Sequence, residues 1–304
     1  MTPAAPPLPD AALLRERKIE VRRLGLHLRV WGDASKPLVL LQHGGKDHGR
    51  SWDWTVEALR EDYCLAVPDL RGHGDSDWPT GGGYESFDFV SDMAAIVEHL
   101  VSEGHDAPIH IIGHSLGGNI ALNYAAAQPH RVRSVIAIEG LGFSQKSYDE
   151  LTAKRASERM REGVERRLKV AQRKPRRFRS AEEGIKRLAN LHQQLSPEQA
   201  EHLALHALRE HEDGWSWKHD PLLGFMPIRP MPPSEYGQLF ADIEAPVLLM
   251  YGRESWASSP KDDGRLEYFG RAELIEFDNA GHWLHHDRFE DFISRAKKFL
   301  RSHS

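Results

Sequence analysis

The chain has 304 residues, 40% of them hydrophobic and 28% charged, which suffices for one large globular domain with an insertion or for two small domains. Its formal net charge of -5 gives no reason to expect nucleic acid or an anionic membrane as the main partner. Because Cys64 is the only cysteine, an internal disulfide and a cysteine-based zinc site are excluded, which fits a reducing compartment.

The amino-terminal segment is rich in proline and lacks the basic start and apolar core of a signal peptide. No later window approaches the roughly 18 unbroken apolar residues that a membrane span needs. We therefore predict a flexible tail over residues 1–17, a cytoplasmic location and no membrane partner.

Strand-like and helical segments alternate along the chain, which predicts an α/β fold with a mostly parallel, eight-stranded sheet and helices on both faces. The predicted strands are Lys18–Arg23, Leu26–Trp31, Pro37–Gln42, Tyr63–Pro68, Ile109–Ile112, Val132–Ile138, Pro246–Tyr251 and Glu273–Phe277. The helices predicted around them are Trp54–Glu61, Phe87–Glu103, Asn119–Ala127 and Arg288–Arg301.

The alternation stops after the sixth strand and resumes only at the seventh. Within this gap, apolar residues spaced by three and four over 153–171 indicate one amphipathic helix, and Ser196 followed by Pro197 indicates the start of another. Such an insertion would cover the carboxyl edge of the sheet, where α/β proteins bind ligands. We predict a helical lid over residues 141–236, inserted into a core made of residues 18–140 and 237–304.

Residues 113–118 read Gly-His-Ser-Leu-Gly-Gly and lie between an apolar run and a helix of small residues. The first five match G-x-S-x-G, in which a serine occupies a strained turn from strand to helix and glycines allow close backbone approach. Ser115 is therefore the candidate nucleophile, and the N–H of Leu116 is a candidate donor to a developing oxyanion. The alternative is an ordinary glycine-rich turn from strand to helix.

Three further stretches, together with this turn, resemble the α/β-hydrolase fold superfamily from about Lys18 onward. His43-Gly44-Gly45 resembles its oxyanion loop, in which the Gly45 N–H would be the second donor. Residues 69–76 resemble a loop of lid-bearing members, and residues 279–282 resemble the turn that carries the catalytic histidine. The resemblance implies the α/β-hydrolase fold and a serine nucleophile.

A serine hydroxyl needs a base to become a good nucleophile, and a carboxylate must orient that base. Of the 18 histidines, His282 alone lies at a glycine turn after the last strand. Most members that the chain resembles supply an aspartate where this chain has Ser255, so the neighbouring Glu254 is one candidate acid. Glu139 at the end of a buried strand is the other, and we favour it because a buried glutamate is costly unless partnered.

The identity of the residue at position 115 limits the reactions that the resemblance implies. Haloalkane dehalogenases and epoxide hydrolases of this fold attack with an aspartate, which is absent from position 115. The resemblance thus implies hydrolysis of an ester, lactone or thioester of a small apolar or acyl substrate through an acyl-enzyme. A carbon–carbon bond hydrolase with the same triad and a catalytically silent small-molecule receptor are the alternatives. We expect no cofactor and no nucleic acid partner, and the sequence leaves a homodimer open.

Several side chains near these motifs are candidates for substrate binding: His43, Asp47, His48, His114, Trp217 and Trp283. The run from His43 to His48 superficially resembles a zinc motif, but Gly45 replaces its middle histidine, so we expect no metal there. Residues 150–187 hold 14 Lys and Arg against 6 Glu. Such runs are usually solvated helix faces, and the alternative is attraction of an anionic substrate.

Overall fold

The computed structural model describes residues 8–9, 14–80, 83–172, 177–224 and 229–304. Its strands are β1 (Leu14–Val21), β2 (Leu24–Trp31), β3 (Leu38–Gln42), β4 (Cys64–Pro68), β5 (Ile109–His114), β6 (Val132–Ile138), β7 (Leu208–His211), β8 (Gly214–Trp217), β9 (Val247–Gly252) and β10 (Ala272–Phe277). Eight of them form one sheet in the order β1-β2-β4-β3-β5-β6-β9-β10, while β7 and β8 form a separate hairpin.

The sheet is antiparallel at one edge and parallel elsewhere. β1 pairs antiparallel with β2, and β2 pairs antiparallel with β4. The other neighbouring pairs are parallel. Every residue of β3, β4 and β5 is buried, which explains their continuous apolar runs, because parallel strands are covered on both faces. The predicted eight-stranded, mostly parallel sheet is confirmed.

Within these ranges the chain forms ten α-helices. They are α1 (Asp53–Leu59), α2 (Ser86–Ser102), α3 (Leu116–Ala127), α4 (Gln145–Thr152), α5 (Ala156–Ala171), α6 (Ala181–Leu191), α7 (Pro197–Ala207), α8 (Pro233–Ala241), α9 (Leu284–Asp287) and α10 (Phe289–Ser302). Apolar residues of α2, α3 and α8 join one core cluster, and those of α1 and α10 join a second. None of the helices in the described ranges combines the length and hydrophobicity of a membrane span.

The predicted amino-terminal tail is partly wrong, because β1 already begins at Leu14. Leu14 pairs with Trp31, so the hairpin is four residues longer than predicted at this end. Most side chains at the start of this edge strand are not buried. Their polar sequence therefore gives no alternating pattern that separates strand from tail. Residues 1–7 and 10–13 of the predicted tail lie outside the described residues.

The segment between β6 and β9 contains α4 to α8 and the β7–β8 hairpin. Ser196 caps α7 as its sequence predicts, because its side chain accepts a hydrogen bond from the Gln199 N–H. Leu203 and two alanines of α7 pack against Trp54 of α1 and Leu188 of α6. This small apolar cluster attaches the inserted helices to the core.

The helix predicted over 153–171 is α5, which begins at Ala156. Three of its apolar side chains do not face the core. Met160, Val164 and Leu168 are 47%, 51% and 57% exposed, whereas Gly163 is buried. Apolar spacing alone therefore identified the helix but not the face that packs against the protein.

Candidate active site

Ser115 occupies a sharp turn between β5 and α3. Its φ of 53° and ψ of -115° form a combination that residues with a side chain rarely adopt. The glycines of the motif make this turn possible. A Cβ on Gly113 would lie 2.4 Å from the Gly117 carbonyl oxygen, and one on Gly117 would lie 2.3 Å from the Gln42 carbonyl oxygen. The turn places Ser115 on the wall of a cavity of about 1020 Å³ at the carboxyl edge of the sheet.

The loop after β3 passes directly beside this turn. A Cβ on Gly44 would lie 3.2 Å from the Ser115 Cβ, and one on Gly45 would lie 3.9 Å from a methyl carbon of Leu116. Leu116 is the first residue of α3, so its N–H has no acceptor within the helix. The structure therefore brings both predicted oxyanion donors, Gly45 and Leu116, next to Ser115.

Glu139 and His282 meet at the ends of β6 and β10. Nδ1 of His282 lies 2.5 Å from Oε2 of Glu139, whose side chain is completely buried. Two further donors reach the same carboxylate. The Gly252 N–H donates to Oε1 at 2.8 Å, and the Ser255 hydroxyl donates to Oε2 at 2.5 Å. Three hydrogen bonds thus compensate a carboxylate that would be costly to bury alone.

Glu254, the other candidate acid, points elsewhere. Its side chain is exposed, and its backbone N–H donates to the Ala280 carbonyl. Ser255 stands at the position where the resemblance predicted an aspartate, and its hydroxyl instead contacts Glu139. Of the two candidates, the structure brings Glu139 to His282.

His114 connects the serine turn to the loop of His282. Its Nε2 lies 2.8 Å from the His282 carbonyl oxygen, and the centroids of the two rings are 4.8 Å apart. Burial lowers the pKa of His114 well below its ordinary value, so this ring is neutral and donates to the carbonyl. No hydrogen bond joins the Ser115 hydroxyl to His282 in this arrangement, and such bonds often form fully only when substrate binds.

A family model described as the alpha/beta hydrolase fold matches residues 37–289, which include all of these groups. The chain belongs to the α/β-hydrolase family. It is 31% identical over 250 residues to the 3-hydroxybutyrate-oligomer hydrolase of Cupriavidus necator, covering 76% of this chain and 78% of the relative. It is also 25% identical to the esterase Rv0045c of Mycobacterium tuberculosis, covering 97% of this chain and 90% of the relative.

Solved structures agree on the fold. The thioesterase domain from the curacin biosynthetic pathway superposes with a TM-score of 0.77 at 23% identity, covering 92% of this chain and 98% of that domain. The α/β-hydrolase fold is thus supported by the sequence comparison and by the structural comparison.

The cavity of this α/β hydrolase is built jointly by the core and the inserted segment. Its apolar wall includes Phe89, Phe143, Leu222, Leu223, Met231, Tyr236 and Trp256. Cationic residues at the wall are Lys146, Arg166, Arg167, Arg229 and Arg265, and acidic ones besides Glu139 are Glu85, Glu150 and Glu235. Arg265 is already paired with Asp263. The remaining charges nearly balance, so they give no preference for an anionic substrate.

The sequence did not predict that two further residues contact the Glu139–His282 pair. Ser255 donates to Glu139, and the indole of Trp256 lies with its centroid 4.7 Å from that of the His282 ring. Both lie on an irregular loop after β9, where no hydrophobic periodicity is expected. The departure from the G-x-x-D pattern at Ser255 was the one available signal.

None of the six residues predicted to bind substrate lines this cavity in the described part of the chain. They are His43, Asp47, His48, His114, Trp217 and Trp283. His43 is fully buried: its Nε2 accepts from the Leu70 N–H at 2.9 Å, and its Nδ1 lies 2.7 Å from the Gly44 carbonyl. Burial lowers its pKa. His43 therefore fixes the loop beside Ser115.

His114 is described above; of the other four residues, His48 and Trp283 lie between the core and the inserted helices, and Trp217 lies within the insertion. His48 Nε2 lies 2.9 Å from the Leu203 carbonyl, and burial lowers its pKa to about 3. Burial raises the pKa of the neighbouring Asp47 to about 7. Trp283 stacks on His192 with ring centroids 3.9 Å apart, and Trp217 packs against Phe178. His48 and Trp283 thus join the core to the insertion.

Potential metal ligands converge at one place in the described residues, formed by His27, Asp69 and Asp75. Cationic side chains already hold this group, because Arg29 contacts both aspartates and Lys218 lies 2.8 Å from Asp75. The run from His43 to His48, which superficially resembles a zinc motif, contributes no ligand to this group of described residues.

Proposed function

We propose that this α/β hydrolase cleaves carboxylic ester-type bonds (esters, lactones or thioesters) of small apolar or acyl substrates. Ser115 is the nucleophile, His282 the base and Glu139 the acid that orients it. The observation that carries the proposal is the hydrogen bond between Glu139 and His282 at the edge of the sheet where the strained turn presents Ser115.

In the first half of the reaction, the Ser115 oxygen attacks the substrate carbonyl carbon while its proton passes to Nε2 of His282. The carbonyl oxygen becomes an oxyanion that accepts from the N–H groups of Gly45 and Leu116. Glu139 keeps the proton on Nδ1 and stabilises the imidazolium. The bond to the leaving oxygen or sulfur then breaks, and His282 returns the proton to the leaving group.

In the second half, water takes the place of the leaving group. His282 accepts a proton from this water as its oxygen attacks the acyl carbon, and the same two N–H groups again stabilise the oxyanion. Collapse breaks the bond to the Ser115 oxygen, which recovers its proton from His282, and releases a carboxylic acid. No cofactor takes part in this sequence.

The substrate class rests on the cavity wall and on the relatives. The wall carries a broad set of apolar side chains, which suits acyl groups. The relatives named above are an esterase and a hydrolase of hydroxybutyrate oligomers. We further propose that residues 141–236 act as a lid over a small-molecule substrate, since Phe143, Met231 and Tyr236 of this segment form part of the wall.

The test is a panel of matched short-chain esters, lactones, thioesters and vinylogous 1,5-diketones, assayed with the wild type and Ser115→Ala. We expect turnover of one or more ester-type substrates, reduced by about three orders of magnitude or more in the variant. Cleavage of the diketones alone would instead support a carbon–carbon bond hydrolase. Binding of substrates without any turnover would support a receptor.

A further inference from the structure

An exposed tryptophan lies beside the proposed catalytic base. Trp256 is 81% exposed, although its ring lies 4.7 Å from that of His282 and lines the cavity. Large apolar side chains left open to solvent at a cavity often mark a binding surface. One side of this indole contacts His282, and most of its remaining surface is free.

The loop that carries Trp256 is firmly attached to the core. The hydroxyl of Ser255 donates to Glu139 and accepts from the Ala257 N–H at 3.1 Å. On the other side, the buried Arg265 donates to the carbonyl oxygens of Ser258 and Gly142, both at 2.9 Å. The backbone that carries Trp256 is therefore fixed beside the base.

The location of Trp256 indicates which part of the substrate it contacts. His282 delivers its proton to the leaving group, so the leaving group must lie against the imidazole in the first half of the reaction. An indole next to that imidazole then lies next to the leaving group as well. The acyl group extends from Ser115 toward the apolar wall.

Building on the proposed function, we propose that Trp256 is a stacking platform for a flat aromatic leaving group, which makes aryl and arylmethyl esters the preferred substrates. Aromatic rings stack on indole more favourably than saturated rings of the same size, because their quadrupoles attract each other in offset or edge-to-face geometry. Trp256 would thus distinguish aromatic from saturated leaving groups by the charge distribution of their rings as well as by their hydrophobicity.

The experiment compares benzyl acetate with cyclohexylmethyl acetate, because their leaving alcohols have similar size and similar acidity. The quantity measured is the ratio of kcat/KM for the benzyl ester to that for the cyclohexylmethyl ester. We expect Trp256→Leu to lower this ratio about fivefold, mainly through the KM of the benzyl ester, and Trp256→Phe to retain part of it. Trp78→Leu removes a partly exposed indole outside this cavity and should leave the ratio unchanged.

One outcome would overturn the platform while the enzyme stays active, namely a ratio in Trp256→Leu equal to that of the wild type. If both esters then slow by the same factor, the indole only packs on His282. If the ratio responds instead to Phe87→Leu, the other strongly exposed aromatic of the wall binds the leaving group. If the wild type hydrolyses neither ester nor any member of the panel above, the proposed function fails and the platform fails with it.

Discussion

The Glu139 carboxylate lies 2.5 Å from the His282 imidazole across 143 residues of sequence. The sheet order permits this contact, because β9 alone lies between β6 and β10, and Ile138 of β6 is in register with Met250 of β9. A carboxylate directly after either β6 or β9 would therefore lie at the same height along the carboxyl edge of the sheet. In this chain β6 supplies the carboxylate, and the loop after β9 supplies a serine that donates to it.

Replacing the acid should separate the two candidates. Glu139→Gln keeps the shape of the side chain but removes the charge that stabilises the imidazolium, so we expect kcat for p-nitrophenyl acetate to fall by about two to four orders of magnitude. Glu254→Gln should stay within about twofold of the wild type, since its side chain is exposed. A large loss in Glu254→Gln alone would contradict the assignment of Glu139.

Because Ser255 contacts Glu139, position 255 can be used to test whether the acid of the triad can be supplied from the loop after β9. Ser255→Ala removes one of three donors to the carboxylate and should lower kcat about three- to tenfold. In the background of Glu139→Gln, Ser255→Asp should raise kcat at least about tenfold, because a carboxylate then reaches His282 from the neighbouring strand. A double variant no faster than Glu139→Gln would show that position 255 cannot reach the imidazole.

Much of this site could be predicted from sequence because its geometry is local. The strained turn at Ser115 needs glycines at fixed positions, and continuous apolar runs mark the buried strands around it. The contributions of Ser255 and Trp256 could not be predicted, because they depend on which loops meet at the sheet edge. The exposed face of α5 and the early start of β1 were missed because periodicity does not report what covers a surface.

Gly117, two residues after Ser115, should tolerate no side chain. In Gly117→Ala, the new Cβ would collide with the Gln42 carbonyl, so we expect the free energy of unfolding to drop by more than about 2 kcal/mol. Gly270→Ala is the matched control, since no atom lies within 4 Å of a Cβ built there and its change should be small. Urea unfolding followed by circular dichroism measures both, and equal stability of the two variants would contradict the close approach.

Low pH should weaken the packing of α7 against the core. Burial lowers the pKa values of His48, His206 and His286 to about 3. Unfolding restores ordinary histidine pKa values near 6.5, so the unfolded chain binds more protons and stability is lost as the pH falls from about 6.5 toward 3. Asp47 and Asp287, whose pKa values burial raises to about 7 and about 6, act in the opposite direction but are outnumbered by the three histidines.

The urea midpoint should therefore be lower at pH 5 than at pH 7.5. His48→Gln keeps a donor for the Leu203 carbonyl but cannot titrate, so it should reduce the difference between the two midpoints. His130→Gln at an exposed position should leave that difference unchanged. A midpoint that is higher at pH 5, or a pH dependence identical in His48→Gln and the wild type, would count against the buried histidines as its cause.

The most direct test of Ser115 as a nucleophile activated by His282 is labelling with a fluorophosphonate probe, with the adduct located by peptide mass spectrometry. We expect one adduct on Ser115 in the wild type, none in Ser115→Ala, and labelling slowed by at least about a hundredfold in His282→Ala. An unlabelled wild type, or an adduct on another residue that persists in Ser115→Ala, would contradict it.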